Sequence, residues 1–571
     1  MQRSSSRPSA RLLPVAQLAP FATLIGLLFL TPLAILGVYS FWKLQDFSIV
    51  HVWNLGNYGR AMTDTFYLGL LGRSLAIGAV VAAACVVLAF PFAYAATFRY
   101  PRLRNALLLA ALISMFASYL VRVYAFQTIL GDTGIINWLL IRIGLVQHPV
   151  SFLLFNRFAV VVTLVNAFFP YVLLPIWAAM QNIDRSLIEA ARDLGESPAG
   201  VFRRVVVPQT HLAAIAAFTF AFVLASGDYV TTTLVGGTNG LMIGREIANA
   251  YGLTNDYPFG SALAFTMLLG LASGIAALRV VPALAARAQR LHPGYLPRIP
   301  RVVPYRIAKL WAPLYLTAVL GFLFLPLVLV VVLSFTTRSV PAFPMHGVTL
   351  AWYRNVFDDP TFRTALDNSV VLAALTAVVA AVIGTLAALP LVRRTFRGRG
   401  ALFSLLVAPL AMPGLVIGIG MLSVYVLTGI QLSRWTILLG HLVFAAPFVL
   451  LVIAARLRDF DLSLEEAARD LGERPLGVFR RVTFPLALPA IAGAALLAAA
   501  LSLDEFVITN FVSGSTVTLP LFIWSKLRIG VTPDTNAVSA IILAGLLLLV
   551  ALFALIYRAA GMRRTFGGRT T

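Results

Sequence analysis

Three carboxylates follow directly after long apolar runs and could bind a positively charged ligand. Asp228 follows one such run, and Asp504 and Glu505 follow another about half a chain later. Burying a carboxylate in a membrane is costly, so such residues usually face a cavity or a partner. The aromatic neighbours Tyr229 and Phe506 could add cation–π contacts. Together these side chains would suit a solute that carries two or more amines.

A second interpretation of these carboxylates stays open. Asp228 or Glu505 could instead cap a helix or form ion pairs with outer-loop groups such as Arg122 or Arg245. We interpret Arg122 as a snorkelling or ion-paired residue, because long basic side chains near helix ends extend toward water. If the solute were an anion, Arg122 would instead become its ligand.

The motifs of several catalytic classes are missing from the sequence. None of the three lysines (Lys43, Lys309 and Lys526) follows the Gly-x4-Gly pattern of a nucleotide-binding P-loop. There is no HExxH motif, and the six histidines are scattered. We therefore expect no catalytic residue, no metal site and no cofactor bound by this chain.

One charged segment occurs twice in almost the same form. Residues 189–208 read EAARDLGESPAGVFRRVVVP, and residues 466–485 read EAARDLGERPLGVFRRVTFP, with 16 of 20 positions identical. The offset, 466 − 189 = 277, is close to half of the 571 residues. The repeat indicates two fused copies of one module, each presenting the same surface.

Each copy has the pattern of a helix–turn–helix. Leu187–Leu194 favours a helix, and Gly195 is well placed as its C-terminal stop. A second short helix would start with Ser197 as its cap and Pro198 in its first turn, and Pro475 takes that place in the second copy.

The residue order of the repeat favours docking to a protein. We expect each segment to lie across the cytoplasmic face and to end at Pro208 or Pro485. Glu189 and Glu466 are placed to cap or ion-pair across an interface. Anchoring to lipid alone would require only a suitable amino-acid composition. It would not require the same residue order in both copies.

The elements that must position these residues are membrane-spanning helices. Hydrophobic residues make up 60% of the chain and charged ones 12%, about half the charge of a typical soluble domain, and the mean hydropathy is +0.89. Apolar runs long enough to cross a bilayer recur throughout. We predict six spans in each half, near 18–40, 74–97, 105–127, 157–182, 209–233 and 259–285, and near 309–334, 369–392, 401–428, 434–457, 486–509 and 536–559.

The net charge of +22 comes mainly from arginines in short loops. If the spans alternate in direction, these loops fall on one side, and the positive-inside rule makes that side cytoplasmic. Both termini and both repeated segments are then cytoplasmic, and a nucleic-acid partner is not needed to explain the charge. The arginines that carry this argument are Arg3, Arg7, Arg11, Arg99, Arg102, Arg104, Arg203, Arg204, Arg393, Arg394, Arg397, Arg399, Arg558, Arg563, Arg564 and Arg569.

Proline and arginine interrupt the apolar pattern midway along the chain, which indicates a linker. We divide the chain into a first module (1–290), a cytoplasmic linker (291–308) and a second module (309–571). The outer loops near 41–72 and 335–367 follow the first span of each module and are rich in aromatic and polar residues. They could form a docking rim for an extracytoplasmic partner, or they could be solvated connectors.

The repeated segment resembles the EAA loop of ABC importer permeases. The pattern EAA-x3-G, closed by a proline after two hydrophobic positions, is matched in both halves. Val207 and Phe484 replace the leucine that is usual before the proline. The matching residues are Glu189, Ala190, Ala191, Gly195, Val205, Val207 and Pro208, then Glu466, Ala467, Ala468, Gly472, Val482, Phe484 and Pro485.

The resemblance extends over most of both halves. Residues 118–140 and 227–265 resemble the first permease of spermidine/putrescine importers, and residues 503–543 resemble the second. The chain thus looks like the two permeases fused head to tail. Relatives with this signature also import opines or 2-aminoethylphosphonate, and fused ferric-iron permeases are more distant cousins, so these solutes stay open as alternatives.

The resemblance implies an all-α polytopic membrane protein built from two tandem six-helix type I ABC-importer permease modules, with about 12 transmembrane helices. It implies a bacterial inner-membrane transport subunit for a polyamine-type solute, with no catalysis of its own. Two copies of a separate cytoplasmic ATPase would use ATP-Mg and grip the EAA loops as coupling helices, and a soluble binding protein would deliver the solute outside. A secondary transporter is the distant alternative, but charges in the middle of the spans are sparse.

Overall fold

A computed structural model describes residues 9–116, 118–291, 305–345, 347–530 and 532–559. Arg3, Arg7, Arg563, Arg564, Arg569 and residues 292–304 of the predicted linker lie outside the described residues. In chain order, the α-helices of the first half are α1 Ser9–Ile25, α2 Thr31–Tyr39, α3 Gly56–Thr63, α4 Thr65–Tyr94, α5 Arg104–Ile113, α6 Tyr119–Leu130, α7 Ile135–Arg142, α8 Arg157–Gln181, α9 Arg185–Asp193, α10 Pro198–Val201, α11 Val207–Ser226, α12 Ile243–Gly252 and α13 Tyr257–Leu291.

The second half is built in the same way. Its α-helices are α14 Tyr305–Leu333, α15 Ala351–Asp358, α16 Pro360–Arg393, α17 Arg399–Val407, α18 Gly414–Thr428, α19 Arg434–Arg458, α20 Ser463–Asp470, α21 Pro475–Val478, α22 Phe484–Asp504, α23 Thr509–Val512, α24 Leu519–Ile529 and α25 Pro533–Ala559. Wider π turns cover Gly26–Leu30, Ala95–Arg99, Phe202–Val206, Thr232–Gly236 and Phe479–Thr483, and 3-10 turns cover Ser114–Phe116, Ser151–Leu153 and Ala408–Ala411. The strands β1 (Lys43–Gln45) and β2 (Ser48–Val50) pair as an antiparallel hairpin.

Ten of the twelve predicted spans are continuous helical runs in the described part of the chain. Each is long and apolar enough to cross a membrane, since 20 residues of helix extend about 30 Å. The runs are Ala16–Tyr39, Thr65–Arg99, Arg157–Gln181, Phe202–Ser226, Tyr257–Leu278, Trp311–Leu333, Pro360–Arg393, Arg434–Arg458, Pro475–Asp504 and Pro533–Leu552.

The prediction of a continuous third span is wrong in both halves. In the second half the chain bends by 98° between Arg399–Ala411 and Gly414–Thr428. Pro409 and Pro413 lie at this break, where each removes a backbone N–H from the helical ladder. In the first half α5 and α6 are separate helices of 10 and 12 residues, joined through a 3-10 turn and without a proline.

Packing divides the chain into two compact units. One contains residues 1–36, 353–530 and 538–571, and the other contains residues 37–352 and 531–537. Within the first unit α1 packs on α16, and within the second α14 packs on α6. Each unit therefore combines one half of the chain with the first helix of the other half. The modules 1–290 and 309–571 divide the chain by its sequence repeat, and their boundaries stay a prediction.

Each unit is built on three mutually packed helices. They are α4, α8 and α11 in one unit, and α16, α19 and α22 in the other. The helices α8 and α19 begin 277 residues apart, and each has a polar N-cap. The Asn156 side chain accepts from the backbone N–H of Ala159, and Ser433 forms a reciprocal capping box with Thr436. These three-helix cores carry the repeated segments and the acidic residues.

Candidate functional site

The two repeated segments begin with equivalent capped turns. The Asp184 carboxylate accepts a hydrogen bond from the backbone N–H of Ser186 at 2.9 Å, and Asp461 accepts one from Ser463 at 3.0 Å. These hydrogen bonds lower the pKa of both carboxyl groups below its usual range. Each ionised carboxylate therefore stabilises its helix fully at pH values above the ordinary pKa of aspartate. This stabilisation is lost as the pH falls through the lowered pKa of the folded state.

Both short helices end in the same hydrogen-bonded motif, as predicted from the glycine. Gly195 and Gly472 have φ angles of +82° and +88°, the left-handed conformation that favours glycine. The N–H of Gly195 donates to Arg192, and the N–H of Gly472 donates to Arg469, both at 2.9 Å. One residue further on, an N–H reaches back five positions, which completes a Schellman motif in each copy.

The signature residues of the two helices face outward in the same pattern. Glu189 and Ala190 are exposed, as are Glu466 and Ala467. Neither glutamate forms an ion pair within the described part of the chain. The leucines that follow each helix, Leu194 and Leu471, are both 86% exposed. An apolar and acidic surface presented twice has the composition of a protein-binding surface.

The turn after each helix is held by a local ion pair. Glu196 pairs with Arg204 in the first copy, and Glu473 pairs with Arg481 in the second. The arginine of each pair is exposed and the glutamate is half-buried at the surface, so each pair contributes about 0–1 kcal/mol to stability. The predicted cap at Ser197 is confirmed, because its hydroxyl accepts from the backbone N–H of Gly200 at 3.1 Å.

The prediction that a proline ends each repeated segment is wrong. Pro208 and Pro485 lie inside helical runs that continue from the short helices α10 and α21 into the spans α11 and α22. A proline has no N–H to donate, and its ring clashes with the carbonyl four residues earlier. A π turn precedes each proline and widens the helix there, which accommodates the interruption.

Asp228 lies two residues beyond α11 and is 7% exposed. Its carboxylate accepts from the Tyr119 hydroxyl and, at 2.9 Å, from the backbone N–H of Thr231. The capping interpretation is therefore observed for this residue. An ion pair with Arg122 or Arg245 is not found among the described residues. Direct contact between Asp228 and a solute stays a prediction.

Glu505 directly follows α22 and caps the next helical turn. One carboxylate oxygen accepts from the N–H of Ile508 at 2.9 Å, and the other from the N–H and hydroxyl of Thr509, both at 2.9 Å. The His441 Nε2 atom lies 4.0 Å from the same carboxylate, and its ring also contacts Ser502 and Thr509 at 2.7 and 2.8 Å. A buried polar network thus surrounds this carboxylate.

The role of His441 could not be predicted from its local sequence, because it stands alone in an apolar run. The residue 277 positions earlier is Leu164, so the histidine belongs to one half only. The comparison of the two halves at this offset is the signal that could have found it.

The other predicted contact residues are less accessible than expected. Tyr229 is 4% and Phe506 2% exposed, and the Phe506 ring packs against Trp524 with centroids 5.0 Å apart. Asp504, the last residue of α22, is half-buried. A cation–π contact would require one of the two rings to be uncovered, and it stays a prediction.

The predicted roles of Arg122, snorkelling or ion pairing, are both corrected by the structure. The residue is 1% exposed, so its guanidinium does not reach water. Its Nη1 atom donates to the carbonyl of Ala167 at 3.2 Å, and its Nε has no hydrogen-bond partner among the described residues. Arg122 lies near the start of α6, directly after the broken third span, and the break carries it into the core. Arg245 is half-buried in the first turn of α12.

Two serines fix equivalent helices of the two halves. The Ser74 hydroxyl accepts from the backbone N–H of Ile243, and the Ser369 hydroxyl accepts from Leu519, both at 2.8 Å. Each bond satisfies the first N–H of a helix that follows one of the acidic segments. Sequence reasoning missed both serines, because a single hydroxyl in an apolar run has no local signature.

The outer loop of residues 41–72 folds into a hairpin and the helix α3. Phe47 at the hairpin tip is 99% exposed, and Trp53 is 66% exposed. The rings of Phe41 and Trp53 lie 5.4 Å apart, and those of Trp42 and His51 lie 4.1 Å apart. The loop of residues 335–367 contains α15 and, among its described residues, one isolated bridge between Thr336 and Val348. Whether a partner docks on these loops stays a prediction.

Comparison with known proteins matches the chain twice to one family. The sequence profile described as "Binding-protein-dependent transport system inner membrane component" matches residues 86–291 and 380–565. The chain is similar to the spermidine/putrescine transport system permease protein PotC of Escherichia coli K12, with 35% identity over 245 residues, 43% of this chain and 92% of PotC. It is also similar to the putrescine transport system permease protein PotI of that organism, with 38% identity over 242 residues, 41% of this chain and 85% of PotI.

Two further similarities were found. The spermidine/putrescine permease protein PotB of Escherichia coli K12 is 32% identical over 247 residues, 43% of this chain and 89% of PotB. A crystal structure of a bacterial ABC transporter involved in the import of the acidic polysaccharide alginate aligns with a TM-score of 0.36 and 19% identity, over 46% of this chain and 99% of that chain. Each sequence relative thus matches about half of this chain, whereas the family profile matches both halves.

Proposed function

Because the chain belongs to the family of inner-membrane components of binding-protein-dependent transport systems, we propose that it imports a polyamine-type cation, putrescine or spermidine, by coupling to separate ATPase subunits. It is a multi-pass transport subunit and not itself catalytic. The observation that carries the proposal is the pair of equivalent helices α9 and α20. Both helices expose the same signature residues, and both end in a Schellman motif.

Two copies of a cytoplasmic ATPase would each grip one of these helices, which we call the coupling helices. The exposed alanines permit close approach, the exposed leucines Leu194 and Leu471 supply apolar area, and Glu189 and Glu466 supply unpaired carboxylates. Each helix runs through a short turn into a long span, so a force on the helix reaches α11 or α22 directly. ATP-Mg would bind to the ATPases and not to this chain.

The polyamine assignment is supported by the relatives' names and by the acidic residues beyond α11 and α22. We propose that Asp228, Asp504 and Glu505 lie along the solute pathway, with Tyr229 and Phe506 as aromatic neighbours. A diamine or triamine would match two or three carboxylates, whereas an anion would be repelled by them. The same importer class for 2-aminoethylphosphonate, an opine or ferric iron remains the alternative, and for the phosphonate or the opine Arg122 would bind the anionic group.

The orientation follows from the arginine-rich loops. We propose that both termini and both coupling helices are cytoplasmic, and that the outer loops near 41–72 and 335–367 receive a soluble solute-binding protein. The exposed ring of Phe47 and the exposed Trp53 support a docking role for the first of these loops. The chain would then lie in the bacterial inner membrane with the binding protein outside.

The two-ATPase arrangement can be tested by counting subunits. Ala190 and Ala467 are exposed, so an arginine at either position is tolerated by the fold but blocks close approach of a partner. Native mass spectrometry of the complex should show two ATPase copies for the unchanged chain, one for Ala190→Arg or Ala467→Arg, and none for the double variant. Two copies on the double variant would show that the ATPases bind elsewhere.

A further inference from the structure

A buried glutamate stands directly before the repeated signature in the second half only. Glu465, in α20, is 4% exposed. One of its carboxylate oxygens accepts from the Arg393 guanidinium at 2.8 Å and from the Thr483 hydroxyl at 2.9 Å, and the other accepts from Arg469 at 3.2 Å. We call Glu465, Arg393 and Thr483 the clasp, because these three side chains are largely buried.

The clasp joins three elements that are separate along the chain. Arg393 is the last residue of α16, Glu465 lies in the first turn of the coupling helix α20, and Thr483 ends the π turn that leads into α22. Charge-assisted hydrogen bonds are short and directional, so they fix the position of one element against another. The coupling helix is therefore tied to the ends of two spans at one carboxylate.

The first half fills the equivalent positions with apolar side chains. At the offset of 277, Glu465 corresponds to Ile188 and Thr483 corresponds to Val206. Ile188 is 4% and Val206 0% exposed, so both are as buried as their counterparts. Apolar burial is non-directional and depends on area alone. The two coupling helices present the same outer surface but are held to their own modules by different forces.

We propose that Glu465 is a positioning residue that transmits the movement of the second coupling helix to α16 and α22, whereas among the described residues the first coupling helix has no such ionic link. This inference rests on the proposed function, because it takes α20 to be the part that an ATPase moves. Removing the carboxylate leaves the Arg393 charge buried without its partner, which is strongly unfavourable. The second coupling helix then loosens, and the first is unaffected.

The first arm of the test measures this loosening by hydrogen exchange on the full chain in lipid nanodiscs. For Glu465→Gln we expect amide exchange in residues 463–470 to rise at least tenfold, with residues 185–193 unchanged. The matched control is Asp470→Asn, which removes an exposed carboxylate from the same helix outside the clasp and should leave both segments unchanged. Equal loosening of both segments in Glu465→Gln would indicate general destabilisation and would overturn the inference.

The second arm asks whether the coupling helix loosens because the Arg393 charge is left without its partner. Buried ion pairs can often be replaced by apolar residues when both charges are removed together. We therefore expect Glu465→Leu with Arg393→Leu to restore protection of residues 463–470 to within threefold of the unchanged chain. If the double variant exchanges as fast as Glu465→Gln, the loosening does not come from the unpaired Arg393 charge, and the ionic link inferred between the coupling helix and α16 is wrong.

The third arm measures coupling in the complex with its ATPase and binding protein. Glu465→Gln should lower the solute transported per ATP hydrolysed at least threefold while two ATPases remain bound. An unchanged ratio would overturn the role of Glu465 in transmission. Failure of the unchanged chain to transport any solute would instead contradict the proposed function, and the exchange arms would still test the clasp.

Discussion

The backbone N–H of Glu196 donates to the carbonyl of Ala191 at 3.0 Å, and Glu473 donates to Ala468 at the same distance. In each copy the bond spans a glycine, Gly195 or Gly472, and that glycine must adopt a positive φ. A Cβ at Gly195 or Gly472 would meet nothing within 4 Å, so the constraint is on the backbone alone.

The first prediction concerns this backbone constraint. Gly195→Ala and Gly472→Ala should each destabilise the end of the coupling helix by about 1 kcal/mol, because alanine is strained in the left-handed conformation. Asparagine tolerates this conformation, so Gly195→Asn and Gly472→Asn should lose less than half as much. Hydrogen exchange at the helix ends measures the difference. Equal loss for alanine and asparagine would contradict the backbone explanation.

A second prediction concerns the exposed leucines. Leu194→Ser and Leu471→Ser should change the stability of the chain by no more than about 0.5 kcal/mol, since both side chains are exposed. Each should weaken ATPase binding at its own site at least tenfold, because apolar contact area is lost. Leu55→Ser, on the outer loop, is the control and should leave ATPase binding unchanged. Titration of the nanodisc-bound chain with ATPase tests this, and unaltered affinity for both leucine variants would rule out the proposed docking surface.

Substitutions of the capped carboxylates give a third prediction. Asparagine keeps an acceptor oxygen for the Thr231 N–H, so Asp228→Asn should fold normally, whereas Glu505→Gln keeps only one of the two acceptor oxygens and should lose one capping bond, to Ile508 or to Thr509. Each removes one negative charge from the proposed pathway and should lower putrescine uptake at least tenfold. Uptake in vesicles with the complete transporter provides the measurement. If both variants transport putrescine at the normal rate, the carboxylates serve only as caps.

The fourth prediction separates a cationic from an anionic solute. Within the part of the chain that the structure describes, the buried Arg122 forms one hydrogen bond, to Ala167, so Arg122→Met should be neutral or stabilising by about 1 kcal/mol or more. If the solute is a polyamine, removal of a positive charge should preserve or raise uptake. If Arg122 binds a phosphonate or carboxylate, uptake should be lost while the melting temperature holds. Paired thermal and uptake measurements distinguish the two cases.

Local patterns in the sequence predicted the coupling helices well. The glycine stop, the Ser197 cap and ten of the spans are confirmed, because each depends on residue types close together in the chain. The ends at Pro208 and Pro485 were predicted wrongly, since the rule that a proline breaks a helix takes no account of a preceding π turn.

Contacts between distant segments could not be predicted in the same way. The carboxylate of Glu465 meets Arg393 from 72 residues earlier, and Asp228 meets Tyr119 from 109 residues earlier. The packing of α1 on α16 likewise depends on folding over hundreds of residues. The break of the third span in the first half has no proline to mark it. Aligning the two halves at the offset of 277 would have singled out Glu465 and His441, because each of these polar residues aligns with an apolar residue of the first half.

The central claim is that this chain is the permease of an ATP-driven polyamine importer. Its most direct test is ATPase stimulation in a nanodisc complex with the partner ATPase and the binding protein, measured with putrescine, spermidine, 2-aminoethylphosphonate, an opine and ferric iron. We expect stimulation by putrescine or spermidine, at least fivefold over the rate without solute, and none by the other three. Stimulation only by 2-aminoethylphosphonate, an opine or ferric iron would contradict the polyamine assignment, and no stimulation by any solute in the presence of the binding protein would contradict the importer itself.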